Sequence, residues 1–178
     1  MRATAGTKPA TETASSATAG APTTAPTTAP TIRPVRAADR AAWTRLWEGY
    51  LEFYGVELSP AVTQTLWSRL TEPEPVVLGR VACLGDDVPV GIVHLVPHKN
   101  TWSVRDICYL EDLYVAPEQR GHGIGRALLE AALAEAKARN WARVYWMTQR
   151  DNAVARKLYD RFAMVDDFVR YTVRLAQG

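Results

Sequence analysis

The sequence predicts a single α/β domain whose mixed sheet carries helices on both faces. Three observations lead to this prediction. Apolar residues recur at helical spacing after residue 40, two β-type runs are joined by Gly85-Asp86-Asp87, and a later strand leads into a long amphipathic helix. The chain has 178 residues, 47% of them hydrophobic, which is enough for one ordinary domain with a core.

The N-terminal region differs in composition from the rest of the chain. Residues 1–30 are mostly Ala, Thr, Pro, Ser and Gly, and they include the repeat APTTAPTTAP. Such a segment has too little apolar surface to offset the entropy of ordering it, so we expect a disordered tail. It also lacks the apolar central region of a secretory signal. The folded domain is therefore predicted over residues 31–178.

The first half of the domain is predicted to begin with a strand and two helices. Asp39 and Ser59 are candidate N-caps, because their side-chain oxygens can accept hydrogen bonds from the free N–H groups of a helix start. Gly55 is expected to end the first helix. The predicted elements are a strand over 31–36, a helix up to Gly55, a helix from Ser59-Pro60 to before Pro73, and strands over 76–84 and 88–96.

The second half is predicted to alternate strands and helices. Ile124, Leu128 and Ala132 share one face of its longest helix, and Glu135 can pair with Arg139 four residues later. The predicted elements are a strand over 107–116, a helix over 123–140, a strand over 143–148, a helix over 152–161 and a final strand over 168–175.

Composition argues against several classes of function. A net charge of +2 with mixed signs gives no basic surface for nucleic acid. No apolar run approaches the roughly 20 residues that a membrane-spanning helix needs. Cys83 and Cys108 are far apart in apolar surroundings, so we expect two reduced thiols in a cytoplasmic protein. His94 and His98 lack the spacing of a metal pair, and no metal is expected.

A glycine-rich loop between a strand and the longest helix carries the chemistry. It runs from Arg120 to Arg126. Its glycines allow backbone N–H groups to approach a ligand, and the helix start favours an anion, so a phosphate site is predicted there. Either arginine could add a charge-assisted hydrogen bond. Neither a Walker loop nor a dinucleotide fingerprint fits the spacing, and a plain strand-to-helix turn stays open as the alternative.

Two motifs at matching separation resemble those of the GNAT superfamily of N-acetyltransferases. The loop Arg120-Gly121-His122-Gly123-Ile124-Gly125 follows a Leu-Tyr-Val strand end and is similar to the family pattern [RQ]-x-x-G-x-[GA]. The run from Asn152 to Tyr159 is similar to its N-x-x-A-x-x-L-Y pattern. YLEDLYV and VYWMTQRDN most resemble the histone/polyamine branch, including its bacterial members, and YLED also resembles the diamine acetyltransferases.

The resemblance implies a mostly antiparallel sheet that splays open where acetyl-coenzyme A binds. It also implies a role for each matching residue. Leu113, Tyr114 and Val115 would offer backbone groups to the pantetheine arm, which Asn152 would also contact. Arg120, Gly121, His122, Gly123, Ile124, Gly125 and Arg126 would bind the pyrophosphate. Tyr159 would act as general acid, and Glu111, or Asp112 if a bulge shifts the register, would help to deprotonate the amine.

The chemistry of amine acetylation fits these residue types. An alkylammonium has a pKa near ~10.4, so it must lose a proton before it can attack. Strand alternation places Tyr109, Glu111 and Leu113 on one face, and on this ground we favour Glu111 over Asp112 as the inward carboxylate. A bulged strand at Leu113 could supply an N–H donor to the oxyanion.

The expected function is acetyl transfer from acetyl-coenzyme A to a primary amine, favoured to be small and cationic or polyamine-like. A protein or peptide lysine acetyltransferase, a non-catalytic acyl-coenzyme A-binding module and a nucleotide-phosphate-binding protein are the alternatives. The resemblance also implies a homodimer or higher homo-oligomer. Ala163 and Met164 stand where many members have Gly and an aromatic residue, which bears on how the last strand pairs.

Overall fold

A computed structural model describes residues 29–173 and residue 175, so nearly all of the predicted tail over 1–30 lies outside the described residues. Its elements, in chain order, are β1 (Thr31–Pro34), α1 (Arg40–Tyr54), α2 (Pro60–Thr71), β2 (Leu78–Leu84), β3 (Val88–His98), β4 (Ile107–Val115), α3 (Ile124–Ala138), β5 (Val144–Tyr145) and α4 (Ala153–Tyr159). Short 3-10 turns over Ala37–Asp39 and Pro117–Gln119 precede α1 and the loop before α3. The predicted α/β fold with a mixed sheet is confirmed.

One five-stranded sheet runs through the domain in the order β1-β2-β3-β4-β5. The first three pairings are antiparallel, while β4 and β5 are parallel. The parallel pairing consists of Cys108 with Val144 and Tyr109 with Tyr145. Beyond Tyr109, the described strands leave the outer edge of β4 without a partner. The sheet is thus open between β4 and β5, at the place where the family resemblance implies a splay.

Helices cover both faces of the sheet. On one face α1 and α2 contribute Trp43, Trp47 and Leu70, which pack on the strand residues Val81 and Ile92. On the other face α3 buries its apolar stripe against β2, β3 and β4, and the residues packed there include Leu78, Val93, Leu95, Leu110, Leu128 and Ala132. The amphipathic stripes read from the sequence therefore face the sheet from opposite sides.

A β-bulge interrupts the pairing of β3 with β4. Asp112 lies opposite His94, but Leu110 lies opposite Leu95, so Glu111 is an extra residue on β4 without a partner on β3. The extra residue reverses which side chains share a face. Leu110 packs with the α3 side of the core although Tyr114 packs with the α1 side. The predicted strict alternation along β4 is therefore wrong across this bulge.

Helix boundaries agree with the sequence signals, but neither predicted cap acts on its helix through its side chain. Ser59 precedes α2 without a side-chain hydrogen bond to the helix start. Gly55 ends α1 with φ of 61°, the left-handed conformation in which glycine meets no steric penalty. Asp39 precedes α1, but its carboxylate accepts from the Arg36 N–H at 2.7 Å and from the Arg33 guanidinium at 2.7 and 2.8 Å. It therefore caps the 3-10 turn and ties it to β1, and its predicted role as the cap of α1 is wrong.

The end of the chain departs most from the sequence prediction. Residues 163–173 contain neither helix nor strand, so the predicted strand over 168–175 is wrong for its described part. The departure from the family pattern at Ala163 and Met164 falls immediately after α4, where this irregular segment begins. The predicted strand over 143–148 shrinks to Val144–Tyr145. None of the helices in the described residues is long and apolar enough to cross a membrane.

Candidate functional site

The loop that leads into α3 presents an uninterrupted series of free backbone donors. Within the described part of the chain, no N–H group from Gly121 to Arg126 bonds to a protein acceptor, and the first bond of the helix is Ala127 N–H to the Gly123 carbonyl at 3.0 Å. Gly121 and Gly123 have φ of +82° and +78°. Positive φ at alternate residues allows successive N–H groups to turn toward one side, which is the geometry of a cradle for an anion.

The charged side chains near this cradle are already engaged. Arg126 Nε donates to Glu130 Oε1 at 2.8 Å along the exposed face of α3. Arg120 Nε donates to the Val115 carbonyl at 3.0 Å, and its guanidinium lies 5.3 Å from the Tyr114 ring centroid. His122 Nδ1 contacts the Gln119 carbonyl at 3.3 Å. The main chain is therefore the part of the loop that is free to hold phosphate, and Arg120 joins the loop to β4.

The open edge of β4 continues from the cradle. Ala116 N–H donates to the Val90 carbonyl at 3.0 Å, which fixes the alternation of the antiparallel ladder. By that alternation Tyr114 exchanges hydrogen bonds with β3, whereas Leu113 and Val115 direct their backbone groups toward the gap. Two of the three residues predicted to meet a pantetheine arm are thus placed for it, and Tyr114 is directed into the sheet.

Two neighbouring carboxylates lie at the bulge of β4. Asp112 is buried with 7% of its surface exposed, and Glu111 is exposed. The inward carboxylate is therefore Asp112, and the predicted orientation of Glu111 is wrong because the bulge resets the alternation. Partial loss of solvent around the Glu111 carboxyl raises its pKa above the ordinary value. The negative charge of Asp112 raises this pKa further.

The surroundings of Asp112 were not found from the sequence. His94 Nδ1 lies 2.9 Å from Asp112 Oδ2, and Trp43 Nε1 donates to His94 Nε2 at 3.0 Å. Tyr50 lies beside the carboxylate as well, and burial together with the Asp112 charge raises the pKa of its hydroxyl. The sequence predicts Trp43 as a core residue, and it leaves Tyr50 open between packing and lining the amine site. Contacts between β3 and α1 join residues that are far apart in the chain, and periodicity carries no signal for them.

Tyr159 packs against the core on the α3 side of the sheet. It ends α4, and its ring packs on Trp146 with centroids 5.4 Å apart. Burial raises the pKa of its hydroxyl to about 12, and Tyr54 of α1 adds to the rise. Tyr54 in turn packs on Tyr50 with centroids 4.9 Å apart. Tyr54 therefore contacts Tyr50, which lies beside Asp112, and is near enough to Tyr159 to affect its pKa.

Asn152 serves α4 directly. Its Oδ1 accepts from the Ala155 N–H at 3.2 Å as an N-cap, and its Nδ2 donates to Thr148 Oγ1 at 3.1 Å. The side chain positions the helix that carries Tyr159 and Leu158. Leu158, Leu113 and Val115 surround Gly125, because a β-carbon at Gly125 would lie 3.6 to 3.8 Å from their methyl groups. The cradle, the β4 edge and α4 thus meet around Gly125.

The chain is similar to known proteins. The acetyltransferase (GNAT) family matches residues 41–164. A D-amino-acid N-acetyltransferase of Saccharomyces cerevisiae is 33% identical over 132 residues, which cover 72% of this chain and 81% of that protein. The crystal structure of a probable acetyltransferase superposes with a TM-score of 0.73 and 26% identity, covering 83% of this chain and 99% of the other.

A further solved structure, the ribosomal-protein-alanine N-acetyltransferase of Brucella melitensis biovar Abortus 2308, shares the fold. Its TM-score is 0.68 at 22% identity, and the match covers 83% of this chain and 100% of that one. The family match extends over both the glycine-rich loop and α4, so it includes every element that forms the gap. The chain belongs to the GNAT family of acetyltransferases and is an acyltransferase enzyme.

Proposed function

We propose that the protein transfers an acetyl group from acetyl-coenzyme A directly to a primary amine. The observation that carries the proposal is the series of free N–H groups from Gly121 to Arg126, which continues into the open edge of β4. A diphosphate fits the cradle, since backbone donors and a helix start both favour an anion. A chain of amides fits the β4 edge, since Leu113 and Val115 direct their backbone groups into the gap.

The bound acetyl-coenzyme A supplies an activated acyl group, and the residues around the gap supply orientation and proton transfer. Glu111 takes the proton of the incoming ammonium, directly or through water. Its raised pKa makes it a stronger base than an ordinary glutamate. Asp112 lies next to it and adds negative charge that favours the cationic form of the amine as it arrives.

Tyr159 is proposed to assist the departing sulfur. A hydroxyl whose pKa is about 12 is fully protonated at neutral pH, so it can donate to a developing thiolate. Complete proton transfer to a thiolate of ordinary pKa near ~8.5 is uphill, which makes hydrogen-bond donation the main part of this role. Arg120 holds the loop to β4 at Val115, and Asn152 holds α4 in the position that brings Tyr159 to the gap.

The acceptor is proposed to be a small primary amine. The paired carboxylates at the bulge suit a cationic, polyamine-like molecule, as the resemblance to the histone/polyamine branch implies. The yeast relative acts on D-amino acids by its name, so a free amino acid is the second candidate. A lysine side chain of a protein or peptide is the third. A homo-oligomer and a cytoplasmic location complete the proposal, and sedimentation analysis tests the first of these.

A turnover assay tests the function. The full chain is incubated with acetyl-coenzyme A and a panel of spermidine, small amines, D- and L-amino acids and lysine peptides, and free thiol is measured. Thiol release that depends on one of these amines supports the proposal, and the panel identifies the acceptor class. Glu111→Gln and Tyr159→Phe should lower kcat by about 10²-fold, while Glu72→Gln, on the exposed end of α2, should match the parent.

Two competing functions give different results in the same preparation. A non-catalytic acyl-coenzyme A-binding module would bind the cofactor in calorimetry but release no thiol with any amine. A nucleotide-binding protein would prefer ATP or NAD over coenzyme A. If the folded protein shows no saturable binding of coenzyme A, the proposed acetyl transfer is contradicted.

A further inference from the structure

A buried hydrogen-bonded chain links the core under α1 to the bulge of β4. Trp43 of α1 and His94 of β3 are 0% and 1% exposed, and Asp112 follows at 7%. Trp43 Nε1 lies 3.0 Å from His94 Nε2, and His94 Nδ1 lies 2.9 Å from Asp112 Oδ2. Neither Trp43 nor His94 belongs to the family motifs, yet this series of hydrogen bonds ends at Asp112, next to Glu111.

The chain fixes the tautomer of the histidine. Indole nitrogen can only donate, so Trp43 Nε1–H requires His94 Nε2 to be an unprotonated acceptor. A neutral imidazole then carries its hydrogen on Nδ1, which donates to Asp112. Protonation of Nε2 would set two donors against each other at 3.0 Å in a fully buried place. Trp43 therefore keeps His94 as a neutral donor to the carboxylate.

The position of the donor is set by the strand register. His94 lies directly opposite Asp112, and the register of β3 against β4 shifts at the next residue. The histidine thus bonds to Asp112, the regularly paired residue that adjoins the bulged Glu111. An aspartate side chain has few rotamers. Because Trp43 holds the His94 ring at Nε2, the hydrogen bond from Nδ1 restricts the Asp112 carboxylate to one orientation.

We propose that His94 is a positioning residue for acetyl transfer. Trp43 fixes the His94 ring, and the Nδ1–H of that ring holds the Asp112 carboxylate beside Glu111, where the carboxylate receives the cationic amine. The proposal rests on the proposed function and assigns a role to residues outside its motifs. Removal of the donor would leave the buried carboxylate with Tyr50 as its neighbour and without the ring that fixes its direction. Asp112 would then be free to turn away from Glu111, and its negative charge would raise the pKa of Glu111 less.

The pH dependence of the reaction reports this arrangement. Asp112 raises the pKa of Glu111, and a positive charge on His94 would act in the opposite direction. The titratable and charged groups around the two carboxylates are Tyr50 and Tyr54 of α1, His94 of β3, Tyr109 of β4, Tyr145 of β5, and Arg170. Among them His94 donates to Asp112 at 2.9 Å, and the hydroxyl of Tyr50 also reaches this carboxylate.

The test compares His94→Asn with His94→Leu in the full chain, using the best amine of the panel. Asparagine can place an N–H donor where Nδ1 stood, whereas leucine cannot. His94→Leu should lower kcat/KM for the amine by about tenfold or more, leave the dissociation constant for coenzyme A unchanged, and move the acid limb of the pH profile to lower pH. His94→Asn should retain the acid limb of the parent.

Asp112→Asn serves as the second variant if the leucine variant does not fold. It removes the charge while its carbonyl can still accept from His94, so it should shift the acid limb in the same direction. An unchanged acid limb in His94→Leu, or in Asp112→Asn where the leucine variant does not fold, overturns the role of His94 when coenzyme A binding is intact. A parent enzyme that binds coenzyme A but acetylates no amine overturns the proposed function instead, so the two failures are distinct.

Discussion

Gly49 of α1 lies against the ring of Tyr114 on β4, where a β-carbon on the glycine would stand 2.5 Å from Tyr114 Oη and 3.0 Å from Cζ. A glycine inside a helix costs about 1 kcal/mol relative to alanine. Its presence here allows α1 to approach the sheet closely. The next residue along the helix is Tyr50, which lies beside Asp112, so the close approach also sets one wall of the gap.

The replacement Gly49→Ala should therefore destabilise the protein despite its better helix propensity. The methyl group must displace the Tyr114 ring or α1, and overpacking of this kind typically costs about 1–3 kcal/mol. Urea unfolding followed by circular dichroism measures the change. Tyr114→Phe removes the nearest atom, so Gly49→Ala should cost less in that background than in the parent. A stability gain from Gly49→Ala in the parent would contradict the packing argument.

The fold was largely predictable because its signals are local. Apolar residues at three- and four-residue spacings along α1 and α3 define the faces that reach the sheet, and Gly55 and the Gly85-Asp86-Asp87 turn stop elements where expected. The glycine-rich loop was also located, because its residue types serve a backbone conformation that the sequence can show. Local rules therefore recover the framework of the site.

The details of the site depend on contacts that local rules do not describe. The bulge at Glu111 is a mismatch between two strands, and it alone decides that Asp112 rather than Glu111 faces inward. The direction of the Arg120 side chain depends on the Val115 carbonyl and the Tyr114 ring, and the His94 bond to Asp112 spans two strands. The described part of the final segment, although rich in β-forming residues, pairs with no strand, which propensity cannot foresee.

Two glycines of the loop should respond differently to alanine. Gly123 has φ of +78°, which an alanine adopts at a cost of about 1–2 kcal/mol. Relief of that strain would rotate the N–H groups of the cradle, so Gly123→Ala should weaken coenzyme A binding by about tenfold, equivalent to 1.4 kcal/mol. Isothermal titration calorimetry with coenzyme A measures the affinity.

Gly125→Ala is the matched control for that prediction. Gly125 lies in α3, and an added methyl would meet Leu158, Leu113 and Val115 at ordinary contact distances of 3.6 to 3.8 Å. It should bind coenzyme A with the affinity of the parent and gain up to about 1 kcal/mol of stability from helix propensity. Equal affinities for the two alanine variants would show that the conformation at Gly123 does not shape the cradle.

Arg120 should support cofactor binding through structure more than through charge. Its guanidinium is held by the Val115 carbonyl and lies 5.3 and 5.8 Å from the ring centroids of Tyr114 and Phe53. Arg120→Gln should weaken coenzyme A binding. The ratio of the parent's affinity to the variant's affinity should stay constant as ionic strength rises, because a lost packing contact is not screened by salt. A loss that disappears at high salt would instead indicate direct pairing with phosphate.

The acid stability of the domain should depend on Asp39. The hydrogen bond from Arg33 lowers the pKa of Asp39 below its ordinary value, and the Arg36 N–H acts in the same direction. A carboxyl whose pKa is lower in the folded state than in the unfolded state adds stability above the unfolded value, near ~3.9, and that stability is lost as pH falls through the folded value. Asp39→Asn should therefore reduce the unfolding free energy at pH 7 and flatten its fall between about pH 5 and pH 2.

The size of that effect follows from the burial of the pair. Arg33 is 8% exposed and Asp39 is 6% exposed, so loss of the carboxylate leaves a buried guanidinium with the exposed Asp87 as its remaining carboxylate partner. Breaking a buried pair typically costs about 3–5 kcal/mol. Asp86→Asn is the control, because this neighbour of Asp87 is exposed and has no ion pair in the described part of the chain. Urea unfolding at a series of pH values gives both profiles, and parallel slopes for Asp39→Asn and the parent below pH 5 would show that acid titrates other groups.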